Sequence, residues 1–492
     1  MSKYKIIVIF PFNINKIFKV GDFLNTIKHT KENNLNQLLK EISEYKHKNN
    51  NELREYIVKD IYSNAEEILD GCIKKDPSKT YYQEKIDDII TSKTFGIPIM
   101  LFLLALVLWI TIEGANYPSE LLSKFFFDLE GSITNVCRKY NVSPVIHGVF
   151  VLGLYRTLAW VISVMLPPMA IFFPIFTLLE DLGYLPRVCF NLDHAFKKAC
   201  AHGKQCLTMC MGFGCNAAGI ISCRIIDSPR ERLIAILTNN FIPCNGRFPT
   251  LIAISSIFFG MNLAKGANAF VSALIVTLLI ILGIVISLLV SFILSKTLLK
   301  GIPSSFTLEL PPYRKPQIGR VVYTSIIDRT IFVLGRAMLV AAPAGAITYI
   351  LSNVYIGDLS IVSHIAQFLN PFAKLMGLDG FILMAFILGF PANEIVLPIL
   401  MMYYLASGSM VDFQSLDQLK NILLQNGWTS LTALNTMLFS LLHFPCATTV
   451  LTIRKETGSK KWTLFSILLP TLIAIIVCMF TTGVYNLFKL IL

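Results

Sequence analysis

The chain has 492 residues, 54% of them hydrophobic and 15% charged, with a mean hydropathy of +0.61. That balance excludes an ordinary soluble core and points to a polytopic membrane protein. The net charge of +12 sits in short Lys/Arg clusters between apolar runs, as cytoplasmic loops do under the positive-inside rule, so no nucleic-acid partner is expected.

Residues 1–94 are polar and lysine-rich, with Leu35, Leu38, Leu39 and Ile42 at helical spacing, and read as a small soluble helical region outside the membrane. The short apolar run IIVIFPF leads straight into NINKIFK, so no cleavable leader is expected. The phosphate-binding pattern G-x-x-x-x-G-K-[ST] is not found; the nearest fragment, Gly203-Lys204-Gln205, lacks both the leading glycine and the hydroxyl that would hold magnesium. The expectation is therefore a chain that is not an enzyme and binds no nucleotide by itself.

The first span is expected from about Phe95 to Ile112, followed by an outer segment, 114–146, with few basic residues. From Gly148 to Leu179 the chain is apolar but interrupted by Pro167, Pro168 and Pro174, which predicts a kinked span or two half-helices. Next come Glu180 and Asp181, with Arg187, Lys197, Lys198 and Lys204 marking a cytoplasmic loop.

The centre of the chain is Met209–Thr250, which joins apolar runs yet carries Gly212, Gly214, Gly219, Gly246, Pro243, Pro249, four cysteines and several asparagines. Such breakers are tolerated at membrane depth only where the freed backbone is buried in protein or lines a polar cavity. Basic residues flank Cys206–Ile221 on both sides (Lys204; Arg224, Arg230, Arg232), so this segment is predicted to enter and leave by one face, as a re-entrant or broken helix. Asp227-Ser228-Pro229 with Glu231 reads as a helix start capped by Ser228. Spans are then expected at Leu233–Phe259 and Phe270–Leu294, followed by a basic inner loop.

The second half opens with a span near Ile331–Leu351, broken at Pro343, and continues with the apolar stretch Phe381–Gly408. Here Gly389-Phe390-Pro391-Ala392-Asn393 repeats the G-F-x-x-N of Gly212-Phe213-Gly214-Cys215-Asn216, and Phe444-Pro445-Cys446 echoes Phe241-Ile242-Pro243-Cys244. The second copy has only Lys374 and Lys420 near it, so it should dip in from the outer side, opposite to the first. That is an inverted repeat, the arrangement in which transporters place a site at mid-membrane between discontinuous helices. The last spans are expected at Leu431–Ile453 and Trp462–Leu487.

Glu394 is the only acid from Phe381 to Ser407, and an ionisable group at that depth marks an ion or proton path, the alternative being a neutral acid bonded at a helix break. Cys215, Cys244 and Cys446 each lie beside Gly or Pro; with Asn216, Asn393 and Glu394 they offer a mixed soft and oxygen donor set that suits iron(II) or zinc and not magnesium or calcium. The remaining cysteines, of 11 in all, are expected to be reduced and to pack as small apolar residues. Glu180, Asp181 and Asp193-His194 are candidates for a cytoplasmic exit or, equally, a solvated helix end.

LLEDLGYLPRVCFNLD, MGFGCNAAGIISCRIID, RERLIAILTNNFIPCNGRFPT, LGFPANEIVLPIL and HFPCATTVLTIRKETGSKKWTLF together resemble the membrane domain of the ferrous iron transport protein B (FeoB) family, from about residue 50 onward. The resemblance implies two Gate segments of opposite orientation, with Cys215, Cys244 and Cys446 as the membrane cysteines of a metal path and Glu394 as the acidic position of the second Gate. The family's usual GTP-binding domain has no counterpart in this sequence, and only something like the tail of its helical domain precedes the first span.

The expected fold is thus an all-α polytopic membrane protein with two inverted Gate-type repeats. It divides into 1–94, a cytoplasmic helical region; 95–147, first span and outer segment; 148–300, first Gate unit and following spans; 301–328, a cytoplasmic loop; and 329–492, second Gate unit and last spans. The expected function is inward iron(II) transport across a bacterial inner membrane, with the N-terminus cytoplasmic. Alternatives are manganese, zinc or a nucleoside-like solute as cargo, or a non-transporting subunit that recruits a G protein. Expected neighbours are lipid and a separate G-protein subunit or small Feo-type accessory protein; a homo-oligomer stays open.

Overall fold

The structure, a computed structural model, describes residues 60–61, 63–65, 67–68, 85–92, 94–198, 203–260, 267–300, 313, 316–405 and 416–491. The chain divides into two units, Met1–Pro77 and Ser78–Leu492. The described residues of the first unit are helical; most of the soluble region expected over 1–94 lies outside the described residues.

The second unit is built of helices, because a bilayer obliges apolar segments to satisfy their backbone groups internally. Among the described residues, six helices are long and apolar enough to cross a membrane: α1 (Gly96–Lys139), α2 (Pro144–Asp181), α8 (Ala267–Lys296), α9 (Ile318–Asn353), α16 (Lys460–Ile491) and the pair α14 (Ser430–Leu442) and α15 (Ala447–Thr457) taken together. One β-hairpin, β1 (Tyr355–Ile356) with β2 (Leu359–Ser360), turns at Gly357, whose φ of +66° suits glycine.

Two expectations about proline and length are corrected, and of a kinked span or two half-helices at Pro167–Pro174 the half-helices are ruled out. α1 does not end at Ile112 but runs unbroken for 44 residues. The segment beyond keeps helix formers and a Glu120–Lys124 pair at 2.7 Å one turn apart. Its length, about 66 Å, exceeds the hydrocarbon core of about 30 Å. Pro167, Pro168 and Pro174 lie inside α2, and Pro343 inside α9, without breaking either helix. Packed neighbours make a proline tolerable inside a membrane helix, and α2 and α9 are packed against one another.

The breaks fall elsewhere. The first copy of G-F-x-x-N folds as α4 (Gln205–Gly214), a single extended residue, Cys215 (φ −157°, ψ 126°), and α5 (Asn216–Ser222). In the second copy, α11 (Gly380–Leu388) ends in a turn, Ala392 is extended (φ −152°, ψ 124°), a 3-10 turn covers Asn393–Ile395, and α12 (Val396–Tyr404) follows. The residue before each asparagine therefore has the same backbone conformation in both halves. The expected span Leu233–Phe259 is also interrupted: α6 (Pro229–Thr238) and α7 (Phe248–Ser255) are separated by the Asn239–Arg247 stretch, where Pro243 denies the helix a donor. Likewise Leu431–Ile453 is α14, a break over His443–Cys446, and α15. Ser228 and Pro229 do start α6, although the Ser228 side chain makes no capping bond.

Both G-F-x-x-N units are hairpins closed at the mouth. Lys204, before α4, donates to the Ile225 carbonyl at 3.0 Å and to Asp227 at 3.1 Å, beyond α5, so this element leaves where it entered. Tyr404, at the end of α12, donates to Asp379, the N-cap of α11, and accepts from Trp428 Nε1 at 2.8 Å. Arg224, at the first mouth, grips Glu456 at 2.6 and 2.8 Å. Trp428 and Glu456 bracket the membrane-length pair α14–α15, so the two hairpins open at opposite ends of one span. α10 (Ile361–Leu375) meets α11 at a 111° bend, which delivers the second hairpin to its side.

Candidate functional site

The four interruptions converge on one cavity of about 30 Å³, the size of a single water or ion. Its walls include Cys215, Asn216, Cys244, Asn393, Glu394 and Cys446, so the structure brings together all six residues singled out above. Cys215, Asn216, Cys244 and Asn393 are buried; Glu394 and Cys446 are half-buried. Glu180 and Asp181 lie exposed at the end of α2 and are not part of this wall. The side chains of Asp193 and His194 lie outside the described residues.

Broken helices at this depth must have their freed carbonyls met by other donors. Arg247, fully buried, meets most of them: Nη1 donates to Asn240 O at 2.8 Å and Leu441 O at 2.7 Å, and Nη2 to His443 O at 3.3 Å and Phe444 O at 3.4 Å. Asn240 adds a bond to His443 O at 2.8 Å, Asn239 one to Asn216 O at 3.4 Å, and the Ala447 amide one to Phe390 O at 2.8 Å. The interruptions of both halves are thus tied into one polar seam, and the cavity inherits their geometry.

The donors around it are of two kinds. Asn393 Nδ2 lies 3.9 Å from Cys244 Sγ, and Cys446 Sγ 3.1 Å from Thr449 Oγ1. Asn216 Oδ1, Asn393 Oδ1 and Thr448 Oγ1 are buried with no hydrogen-bond partner in the protein. Three orphaned oxygens on one small cavity are costly unless something fills the gap, since each forgoes its solvation. Glu394 is the one carboxylate in the wall, and a Cβ at Gly246 would fall on its oxygens, so the bare backbone of position 246 makes room for the acid. Among the described residues, no three His, Cys, Asp or Glu side chains converge closely enough to hold a metal alone. Any cation here must complete its shell from amide, hydroxyl or thioether groups, or water.

Reading the motifs alone missed several residues of the wall. Gly246 sits in the same PCNGR segment as Cys244, and Thr448 and Thr449 directly follow FPCA, so proximity in sequence could have suggested them. Met165, Met169, Val333 and Ala337 come from α2 and α9, whose sequences carry no local sign of the site.

The sequence matches the Gate family, described as nucleoside recognition, over residues 162–258 and 272–460. It is 30% identical over 421 residues to the Fe(2+) transporter FeoB of Staphylococcus aureus, covering 83% of this chain and 60% of that relative. It is 27% identical over 489 residues to the Fe(2+) transporter FeoB of Methanocaldococcus jannaschii, covering 96% of this chain and 68% of the relative. A Porphyromonas gingivalis protein, the Fe(2+) transport protein A/Fe(2+) transporter FeoB fusion protein, is 25% identical over 461 residues, 83% of this chain and 53% of the relative. The chain thus spans 60% of the length of the Staphylococcus aureus relative. No solved structure gives a significant match. With two opposed hairpins, a shared polar seam and these relatives, the chain belongs to the Gate family and is an FeoB-type multi-pass membrane domain.

Proposed function

We propose that this chain carries iron(II) inward across a bacterial inner membrane, with Cys215, Asn216, Cys244, Asn393, Glu394 and Cys446 as transient ligands. The observation that supports this best is the ion-sized cavity on which these six residues converge, with the unpartnered oxygens of Asn216, Asn393 and Thr448. Thiol sulfur with neutral oxygen and one carboxylate suits a borderline cation and not magnesium or calcium. A path must bind its ion weakly enough to release it, so these residues act as transient and not as permanent ligands. A nucleoside-like solute would need a pocket of several hundred Å³, about ten times this one. Manganese(II) and zinc(II) are the competing cargoes, and similarity to Fe(2+) transporters favours iron.

The basic mouth of the first hairpin and the Arg454–Lys461 loop define the cytoplasmic side in this reading, with the N-terminus on the same side. The chain acts as a permease. The Porphyromonas gingivalis fusion favours a small accessory partner of the transport protein A kind.

The test is iron(II) uptake under reducing conditions by liposomes holding this chain alone, beside a Cys215→Ser, Glu394→Gln double variant. Wild-type uptake that falls at least tenfold in a folded, monodisperse double variant supports the path. Equal uptake by both forms would remove the assignment of these residues, and no uptake by either would remove transport by the isolated chain.

A further inference from the structure

The cavity has a wall that neither the motifs nor the relatives' names assign. Met165 and Met169 stand one turn apart on α2, on the same face, and both line the cavity; they are 8% and 3% exposed. Their helix packs against the Asn393–Ile395 turn that carries Glu394, and Phe172, a turn further along, occupies the space that a side chain at Gly214 would need. α2 is therefore seated on both hairpin breaks, and the two methionines share the cavity wall with the donors that those breaks present.

Adding them to Cys215, Cys244 and Cys446 makes five sulfur-bearing side chains around a space for one ion. The oxygen-bearing side chains are also five: two amides, two hydroxyls and one carboxylate. A thioether is neutral, polarisable and has no proton to lose, so it adds affinity for a soft or borderline cation at no cost in charge. It offers nothing to a hard cation, which would have to leave its water for sulfur. Among the described residues the His, Cys, Asp and Glu groups do not suffice among themselves, and the two thioethers are among the neutral donors that line the same cavity.

We propose that Met165 and Met169 are specificity-determining residues, whose thioethers favour iron(II) over the harder manganese(II) in this cavity. The proposal rests on the metal path put forward above. Packing alone would make leucine an equal substitute at both positions, since Met and Leu exchange at little cost in volume. The thioether role predicts a difference.

The experiment uses the full chain with Met165→Leu, Met169→Leu, and as control Met401→Leu, a buried methionine outside the cavity wall. Anaerobic titration of the purified protein with iron(II) and with manganese(II) is run beside competitive uptake into liposomes. The expected result is at least a tenfold fall in the iron-to-manganese preference of the double variant, in binding and in uptake, with the control like wild type. Wild-type iron uptake with an unchanged preference in the double variant would overturn the methionine assignment and leave the path standing. A wild type that binds iron in preference, with that preference lost in the double variant, upholds the assignment even if liposomes take up no iron. A wild type that neither binds nor moves iron sinks both.

Discussion

A methyl group at position 246 would take the space of the Glu394 carboxylate, so Gly246→Ala should push the acid out of the cavity while leaving its charge in the chain. Iron(II) uptake is expected to fall about tenfold, near 1.4 kcal/mol in the barrier; unchanged uptake would mean that the carboxylate acts elsewhere. Arg247 calls for a different measurement, because its role lies in the seam. Arg247→Met strands the carbonyls of Asn240, Leu441 and Phe444, while His443 O keeps its bond from Asn240. A loss of roughly 3 kcal/mol or more is expected, read as a drop in thermal stability in detergent. The cysteines and Glu394 could be picked out from sequence because they are chemically odd in apolar runs. Met165 and Met169 could not, since a methionine in a membrane helix looks like any other apolar residue until its neighbours are known.

Among elements, α3 (Tyr184–Lys198) connects the first hairpin to the segment that precedes α1. Arg187, 1% exposed, donates to both oxygens of Asp87 at 3.0 and 3.1 Å and to Gly183 O at 2.7 Å. Tyr313 lies under its guanidinium at 4.1 Å and donates to Asp87 at 2.8 Å. Burial alone would raise the Asp87 pKa, but the hydrogen bonds from Arg187 and Tyr313 and the Arg187 charge outweigh it and hold the carboxyl below its usual range. Burial and the Asp87 hydrogen bond push Tyr313 up to about 12.

The signs follow from linkage. The Asp87 contribution is present above an unfolded pKa of about 3.9 and is lost as pH falls through the lower folded value. The Tyr313 contribution is present below about pH 10 and is lost as pH rises toward the folded value. Thermal stability of Asp87→Asn and Tyr313→Phe should therefore lie below wild type at pH 7. The gap should close below about pH 4 for the first and above about pH 10 for the second. A gap that is independent of pH would show that charge plays no part in the clasp. The sequence made Arg187 legible only as a loop cation; its partners lie 100 and 126 positions away, beyond the reach of any local pattern.

For the whole molecule, the arrangement requires the two hairpin mouths to lie on opposite sides of the membrane. Ser228→Cys, beside the first mouth, should react with a membrane-impermeant maleimide from the cytoplasmic side, and Asn426→Cys, beside the Trp428–Tyr404 contact, from the outer side. Labelling of both from one side would refute the opposed hairpins.

The sequence by itself determined the class of fold, because apolar runs of bilayer length admit little besides helices. It also determined the repeat and its inversion, because the recurrence of G-F-x-x-N and the placement of Lys and Arg are local facts. Where each helix breaks was decided only in three dimensions. Four prolines stay inside α2 and α9, while the Asn239–Arg247 and His443–Cys446 stretches open. A break survives in a membrane only where other groups reach its carbonyls, and Arg247, Asn239 and Asn240 reach those particular ones.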